Sequence, residues 1–231
     1  MAYQAIFKRY EIKYLISQDQ KAQLLKAMEP YMALDKYGRT TIRNIYFDTE
    51  NYRLIRRSIE KPVYKEKLRI RSYGPATPDS TVFVELKKKY RRIVYKRRVS
   101  MPYSEVDAFM QKSVGPKDPQ IQREIHYFLD YYAPLSPAMY LCYDRQAFYA
   151  KDDDSFRITF DDNVFWREHD LTLSGAPQGE RLLPEDRIIM EVKTPVGIPL
   201  WLSDMLTQEH IYKTPFSKYG NAYIVTQQRL K

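Results

Sequence analysis

Residues 66–74, EKLRIRSYG, place Lys67, Arg69 and Arg71 on alternate positions with Leu68 and Ile70 between them. A period of two is that of a β-strand, whose successive side chains point to opposite faces. One face of this strand is therefore apolar, and the other carries three cations in a row that repel one another. The pattern recurs along the chain. Glu85, Lys87 and Lys89 share one parity against Val82, Val84 and Leu86, Lys96 and Arg98 fall together, and Arg9, Glu11 and Lys13 line up near the start. Arg157, Thr159 and Asp161 oppose Phe156, Ile158 and Phe160, Glu191 and Lys193 alternate with Met190 and Val192, and Arg145 stands amid aromatics in YDRQAF.

A solvated outer face explains any single strand of this kind. Six or more of them, with cations well ahead of anions, point to a barrel whose apolar residues face outward beneath helices and whose charges face inward. Unpaired buried charge is costly, so such an interior must be wet and filled by an anion. The cations then stand in a row because a row of phosphates lies against them. Arginine offers phosphate a planar fork of two parallel hydrogen bonds, and lysine a compact point charge. Glu85, Glu191 and Glu11 lie within the same basic faces. They either neutralise neighbouring cations or hold a divalent metal that bridges phosphate oxygens.

A net charge of +9 agrees with an anionic partner: nucleic acid, a membrane surface or a phosphorylated small molecule. The single cysteine, Cys142, excludes a disulfide framework and cysteine-based zinc sites and suits a reducing cytoplasm. No stretch approaches the roughly 20 apolar residues of a membrane span, and the first residues lack a signal-peptide core. A soluble, cytoplasmic protein is expected. His126, His169 and His210 are too far apart for a metal or triad spacing, and with 7 glycines a Walker-type phosphate loop is excluded. The basic runs RLIRRSIEK and ELKKKYRRIVYKRR suit nucleic acid by composition, but the second alternates its cations with apolar residues, as paired strands do.

The remaining pattern reads as one α+β domain over residues 1–231. Strands are expected at 5–15, 40–49, 63–73, 80–89, 91–101, 137–150, 156–162 and 186–194. Ser17 and Gln20 form a capping box that opens a helix running to about Met32. Further helices are expected at 50–60, 104–113, 120–132, 198–210 and 217–230, and the loop 167–182 has room for a short strand at Leu171–Leu173. Many strands are sequence neighbours, so the sheet should be mostly antiparallel.

In this order, FKRYEIKYLI, IRNIYFDT, KLRIRSYG, VFVELKKK, YKRRVSM, YDRQAF, FRITFDD, IIMEVK and FSKYG cover nearly the whole chain. Together they resemble the polyphosphate polymerase domain of the vacuolar transporter chaperone (VTC) family, within the triphosphate tunnel metalloenzyme, or CYTH-like, superfamily. The resemblance implies an antiparallel eight-stranded β-barrel, the triphosphate tunnel, with helices packed on its outside. It places Lys13, Arg69, Arg71, Lys87, Lys96, Arg145, Arg157, Lys193 and Lys218 against phosphates, and Arg98 joins them by sharing the face of Lys96. It makes Glu191 the ligand of a manganese or magnesium ion, and the placement of Glu85 and Glu11 in basic faces keeps them as further metal candidates. Arg69, Arg71, Arg157 and Glu191 become the catalytic group. The implied reaction moves the γ-phosphate of a nucleoside triphosphate such as ATP onto inorganic polyphosphate, which leaves through the tunnel. The superfamily motif Glu-x-Glu-x-Lys reads RYEIK here, with Arg9 in the first glutamate position. That departure keeps two alternatives open: a triphosphatase of the same fold, and a polyphosphate-binding module without turnover. Nucleic acid is not expected as a partner. The chain has no membrane span of its own, and a membrane-bound partner is compatible with it.

Overall fold

The computed structural model describes residues 10–91, 93–113 and 119–229. Residues 5–9 of the expected first strand, Arg9 among them, lie outside the described residues. Eight strands form one antiparallel path: β1 (Tyr10–Ser17), β9 (Arg187–Thr194), β7 (Arg157–Arg167), β6 (Ser136–Ala150), β2 (Met32–Asp48), β3 (Tyr64–Tyr73), β4 (Thr81–Tyr90) and β5 (Ile93–Pro102). A two-residue β8 (Glu180–Arg181) pairs with β7 off this path. The path ends at β1 and β5, and no backbone pairing between these two occurs among the described residues. The edge of β1 is instead covered by residues 213–214. Tyr14 bridges to Lys213, and the Thr214 N–H donates to the Lys13 carbonyl at 2.8 Å.

The alternation that organises the sequence sorts the sheet into two faces. Leu68, Ile70, Val82, Val84, Leu86 and Val99 face outward and pack with Val106 and Phe109 of α3 (Val106–Met110) and with Ile125 and Phe128 of α4 (Pro119–Tyr131). Ile16, Ile158, Phe160, Met190 and Val192 do the same beneath α1 (Gln18–Met28) and α5 (Leu200–Gln208), through Leu24, Leu202 and Leu206. The third cluster has a different place. Ile42, Tyr46, Leu141, Tyr143, Trp166 and Ile189 come from the inward face, and Ile55 of α2 (Arg53–Ile59) and Tyr219 and Ala222 of α6 (Lys218–Arg229) pack on them. Among the described residues, four helices therefore lie on the outside, while α2 and α6 close one end of the barrel.

Local chemistry explains most boundaries. The capping box forms as expected: the Gln20 N–H donates to Ser17 Oγ at 3.1 Å, and Gln20 Oε1 accepts the Ser17 N–H at 3.0 Å. The helix ends at Met28 rather than Met32, ahead of Pro30, which lacks an N–H and clashes with the preceding turn. β2 starts eight residues earlier than expected. Its register shifts between Leu34 and Arg39, where Gly38 takes φ +58°. This irregularity hides the strand's first half from a period-two reading. The helix expected at 104–113 is a 3₁₀ turn, Tyr103–Glu105, followed by the short α3. Leu171–Leu173 forms no strand. Leu173 is instead a buried core residue, and its carbonyl accepts from Arg43 at 2.9 Å. No helix among the described residues is long and apolar enough to cross a membrane.

Candidate functional site

Cross-strand register brings the inward charges together level by level. Arg69 lies opposite Glu85, Glu85 opposite Arg98, and Lys87 between Lys67 and Lys96. On the other wall Glu191 lies between Lys13 and Thr159, and Lys193 between Glu11 and Arg157. Arg145 and Asp161 face each other on β6 and β7. The barrel interior thus gathers Lys13, Lys67, Arg69, Arg71, Lys87, Lys96, Arg98, Arg145, Lys193 and Lys218 around the carboxylates Glu11, Glu85, Asp161 and Glu191. Among the described residues, these ten cations stand around these four anions.

Glu85 is the hub of one wall and is 1% exposed. Its Oε2 accepts from Arg69 Nε and Nη2 at 2.9 and 2.7 Å, and its Oε1 meets Lys96 at 2.6 Å and Arg98 at 2.7 Å. Burial alone would raise this carboxyl, but the fields of Arg71, Arg69, Lys96 and Arg98 hold it well below the usual carboxylate range. Arg71 is turned to the closed end, donating to Asn44 Oδ1 at 2.9 Å and to the Tyr143 hydroxyl at 3.1 Å. Asp161 is the second hub. Arg145 reaches it with two bonds of 2.5 and 2.7 Å, and Lys218 with one of 2.5 Å. Across the seam of the barrel, Lys87 donates to Glu11 at 2.6 Å.

Glu191 differs from the other three carboxylates. Its nearest cations are Lys193 at 3.6 Å and Lys13 at 4.0 Å, and it accepts no hydrogen bond among the described residues. Burial works against its charge, but Lys193, Lys13 and Arg145 keep it ionised well below the ordinary range. It is an anion with lone pairs to spare. Glu85, by contrast, has the ion-pair role, with both oxygens taken. Glu11 lies one strand from Glu191 and close enough for the two charges to repel. No group of three or more His, Cys, Asp or Glu side chains gathers among the described residues. Glu191, with Glu11 beside it, still suits a magnesium or manganese ion, because such ions commonly take one or two carboxylates and draw further ligands from water and phosphate.

The N-terminal turn of α6 enters the barrel. Ser217 caps it, accepting the Gly220 N–H at 3.1 Å, and a Cβ at Gly220 would come within 3.2 Å of the Ser217 side chain. Lys67 donates to Ser217 Oγ and Lys13 to the Phe216 carbonyl, each at 2.9 Å. Tyr219 stacks on Tyr46 at 4.6 Å between ring centroids and donates to the buried Asp48 at 2.9 Å. Asp48 also accepts the Leu54 and Ile55 N–H groups, which locks α2 onto the same end. The opposite mouth carries Arg157, which is exposed and donates to the Asp154 carbonyl at 3.1 Å. The structure thus groups Arg69 and Arg71 on one wall, places Glu191 on another, and leaves Arg157 at the rim.

The model of the VTC domain matches residues 8–227. The chain belongs to the VTC domain family. No curated protein sequence matches it. Among solved structures, this VTC domain is similar to a candidate adenylate cyclase from Bacillus halodurans. The two share 14% identity over 91% of this chain and 96% of the other, with a TM-score of 0.55. A second candidate adenylate cyclase, from Vibrio parahaemolyticus, is 11% identical over 94% and 98% of the chains, with a TM-score of 0.52. A Hippeastrum protein, described as a candidate adenylyl cyclase with dominant triphosphatase activity, is 16% identical over 91% and 93%, with a TM-score of 0.51. At such identities the likeness shows the fold, that of the triphosphate tunnel.

Several interior residues of the VTC domain lie outside the site that the resemblance implies. Lys67 heads the opening row, yet among the ten interior cations it alone has no carboxylate within ion-pair distance among the described residues. Burial, with Lys13, Lys65, Lys87 and Arg69 around it, holds its amine well below the lysine range. Asn44, Tyr46 and Tyr143 carry no charge, and only their register with Arg71, Arg69 and Ile42 reveals which face they line. The basic run after Glu85 divides between the faces. Its outward Lys88 and Arg97 meet Glu124 of α4 at 3.7 and 3.0 Å, so it presents no continuous basic stripe.

Tyr143 yields a spectroscopic prediction. Burial would raise its phenol, but Arg71, Arg145 and Lys218 overcome that and lower it to about 8. Ultraviolet titration of the empty protein should show one of the 21 tyrosines ionising near that pH, and Tyr143→Phe should remove the component. Bound tripolyphosphate should move it upward, because an anion beside the phenol disfavours the phenolate. Identical titrations of parent and variant would contradict the assignment.

Proposed function

We propose that this VTC domain is a metal-dependent phosphotransferase that moves the γ-phosphate of a nucleoside triphosphate onto inorganic polyphosphate. The observation that carries this reading is the cationic excess of the interior: among the described residues, the ten cations named above gather around four carboxylates inside the barrel. A chain of phosphates supplies the missing anions. Family membership and the triphosphatase described for the Hippeastrum neighbour support triphosphate chemistry at such a site. Little covalent work is asked of the protein in phosphoryl transfer; alignment and charge neutralisation dominate. Arg69 and Arg98, held by Glu85, are placed to fix phosphate oxygens. Lys193 and Lys13 flank Glu191, and Arg157 meets the substrate at the mouth. Glu191 and Glu11 would hold manganese or magnesium, which when bound polarises phosphoryl oxygens.

One observation favours a second reading, a triphosphatase. α2 and α6 close one end, and a blind barrel suits a short triphosphate better than a lengthening chain. Incubation with ATP and manganese separates the two. Acid-insoluble polyphosphate is the outcome expected of the polymerase, and release of orthophosphate alone would establish the triphosphatase instead.

Lys218 tests the closed end. Lys218→Ala should weaken nucleotide binding by about 1.5–3 kcal/mol, the range for hydrogen bonds to charged groups. Asp161 keeps its two bonds to Arg145 in the variant, so the fold should survive the change. Equal affinity of variant and parent by calorimetry would refute a role for Lys218 in binding.

A further inference from the structure

Among the described residues, the barrel interior contains one buried polar group that the fold leaves without a partner. Thr159 lies on the inward face of β7, between Arg157 and Asp161, while its neighbours Ile158 and Phe160 pack in the outer core. It is 3% exposed, and its Oγ1 has no hydrogen-bond partner among the described residues. A buried hydroxyl without a partner costs free energy that valine, of nearly the same shape, would not incur. Threonine at this position is therefore expensive for the empty protein.

Its surroundings say what offsets that cost. In register Thr159 stands opposite Glu191 on one side and Ala147 on the other, one pair from Arg157 and Lys193 and one pair from Arg145 and Asp161. Glu191 is the carboxylate with unused lone pairs, so two under-satisfied groups lie at the same level of the barrel. Ala147 offers the hydroxyl no polar partner. The cations nearest in register, Arg145, Lys193 and Arg157, are ones that phosphate oxygens would re-pair. A hydroxyl here donates one short, directed bond, which lysine and arginine cannot replace at such close range to the strand.

We infer that Thr159 is a substrate-positioning residue whose hydroxyl donates to a phosphate oxygen beside Glu191. The inference rests on the proposed triphosphate-binding function of the barrel. Thr159→Val and Thr159→Ser separate the hydroxyl from the shape of the side chain. Calorimetry with tripolyphosphate in metal-free buffer should show Thr159→Val binding about tenfold to a hundredfold more weakly, and Thr159→Ser close to the parent. Thermal unfolding without ligand should show Thr159→Val melting no lower than the parent, because no bond within the fold is lost. Binding as tight in Thr159→Val as in the parent would overturn the inference. So would equal weakening in both variants, or a markedly lower melting temperature for the valine protein, since the hydroxyl would then serve the fold. A parent protein that fails to bind tripolyphosphate would instead refute the underlying function.

Discussion

Glu191→Gln is expected to abolish metal-dependent turnover while leaving a folded protein that still binds tripolyphosphate. The loss should be on the order of 10²–10³-fold, the range for removing one electrostatic element of a transition-state site. The physical reason lies in how the four interior carboxylates are used. Glu85, Asp161 and Glu11 each accept close contacts of 2.5 to 2.9 Å from cations. Glu191 meets its cations only at 3.6 and 4.0 Å. It can give its oxygens to a metal without stripping an arginine of its partner. Removing its charge makes the interior more cationic, so metal-free binding of tripolyphosphate should be unchanged or tighter. Turnover by the glutamine variant with manganese, at a rate near the parent's, would exclude Glu191 as the metal ligand. A variant that loses binding and turnover together would give Glu191 a role in holding the cations instead.

Glu85→Gln should fail in the opposite way, at the level of the fold. Its carboxylate neutralises Arg69, Arg98 and Lys96 at 2.6 to 2.9 Å, with Arg71 at 3.9 Å. Removing one partner of a buried ion pair typically costs about 3–5 kcal/mol, because the remaining charges stay buried and unpaired. That is a large part of the roughly 5–15 kcal/mol that holds a domain together. Equilibrium urea unfolding should show the loss directly. Tripolyphosphate should restore part of it, since it binds only the folded state and neutralises the same cations. The pH dependence has a defined sign. The Glu85 carboxyl is held well below the ordinary glutamate pKa. Its stabilisation is therefore complete above that ordinary value and is lost as acid brings the pH down through the folded-state value. The glutamine variant should lack this acid-sensitive component. An unchanged urea midpoint would show that the four cations do not depend on Glu85.

The sequence by itself determined the two-faced character of the strands. Period-two alternation is local, so Lys67, Arg69 and Arg71 are committed to one face and Leu68 and Ile70 to the other before any strand pairs. Strands adjacent in sequence pointed to the antiparallel sheet, the Ser17-x-x-Gln20 spelling to the capping box, and the ordered motifs to the family they resemble. Tertiary structure alone decided which charges meet. Glu85 and Glu191 look alike in sequence, each a glutamate inside a basic alternating strand. Register surrounds the first with Arg69, Arg98 and Lys96, and leaves the second loosely held between Lys13 and Lys193. Among the described residues, register also leaves Lys67 without a carboxylate and the Thr159 hydroxyl without a partner, two deficits that depend on residues far away in the chain. The closing of one end was equally non-local. It needs Asp48 to cap α2 and bind Tyr219 of α6, a contact across 171 residues that no local period encodes. Alternation fixes the face a side chain occupies, while pairing, which involves the whole chain, sets the partner it finds there.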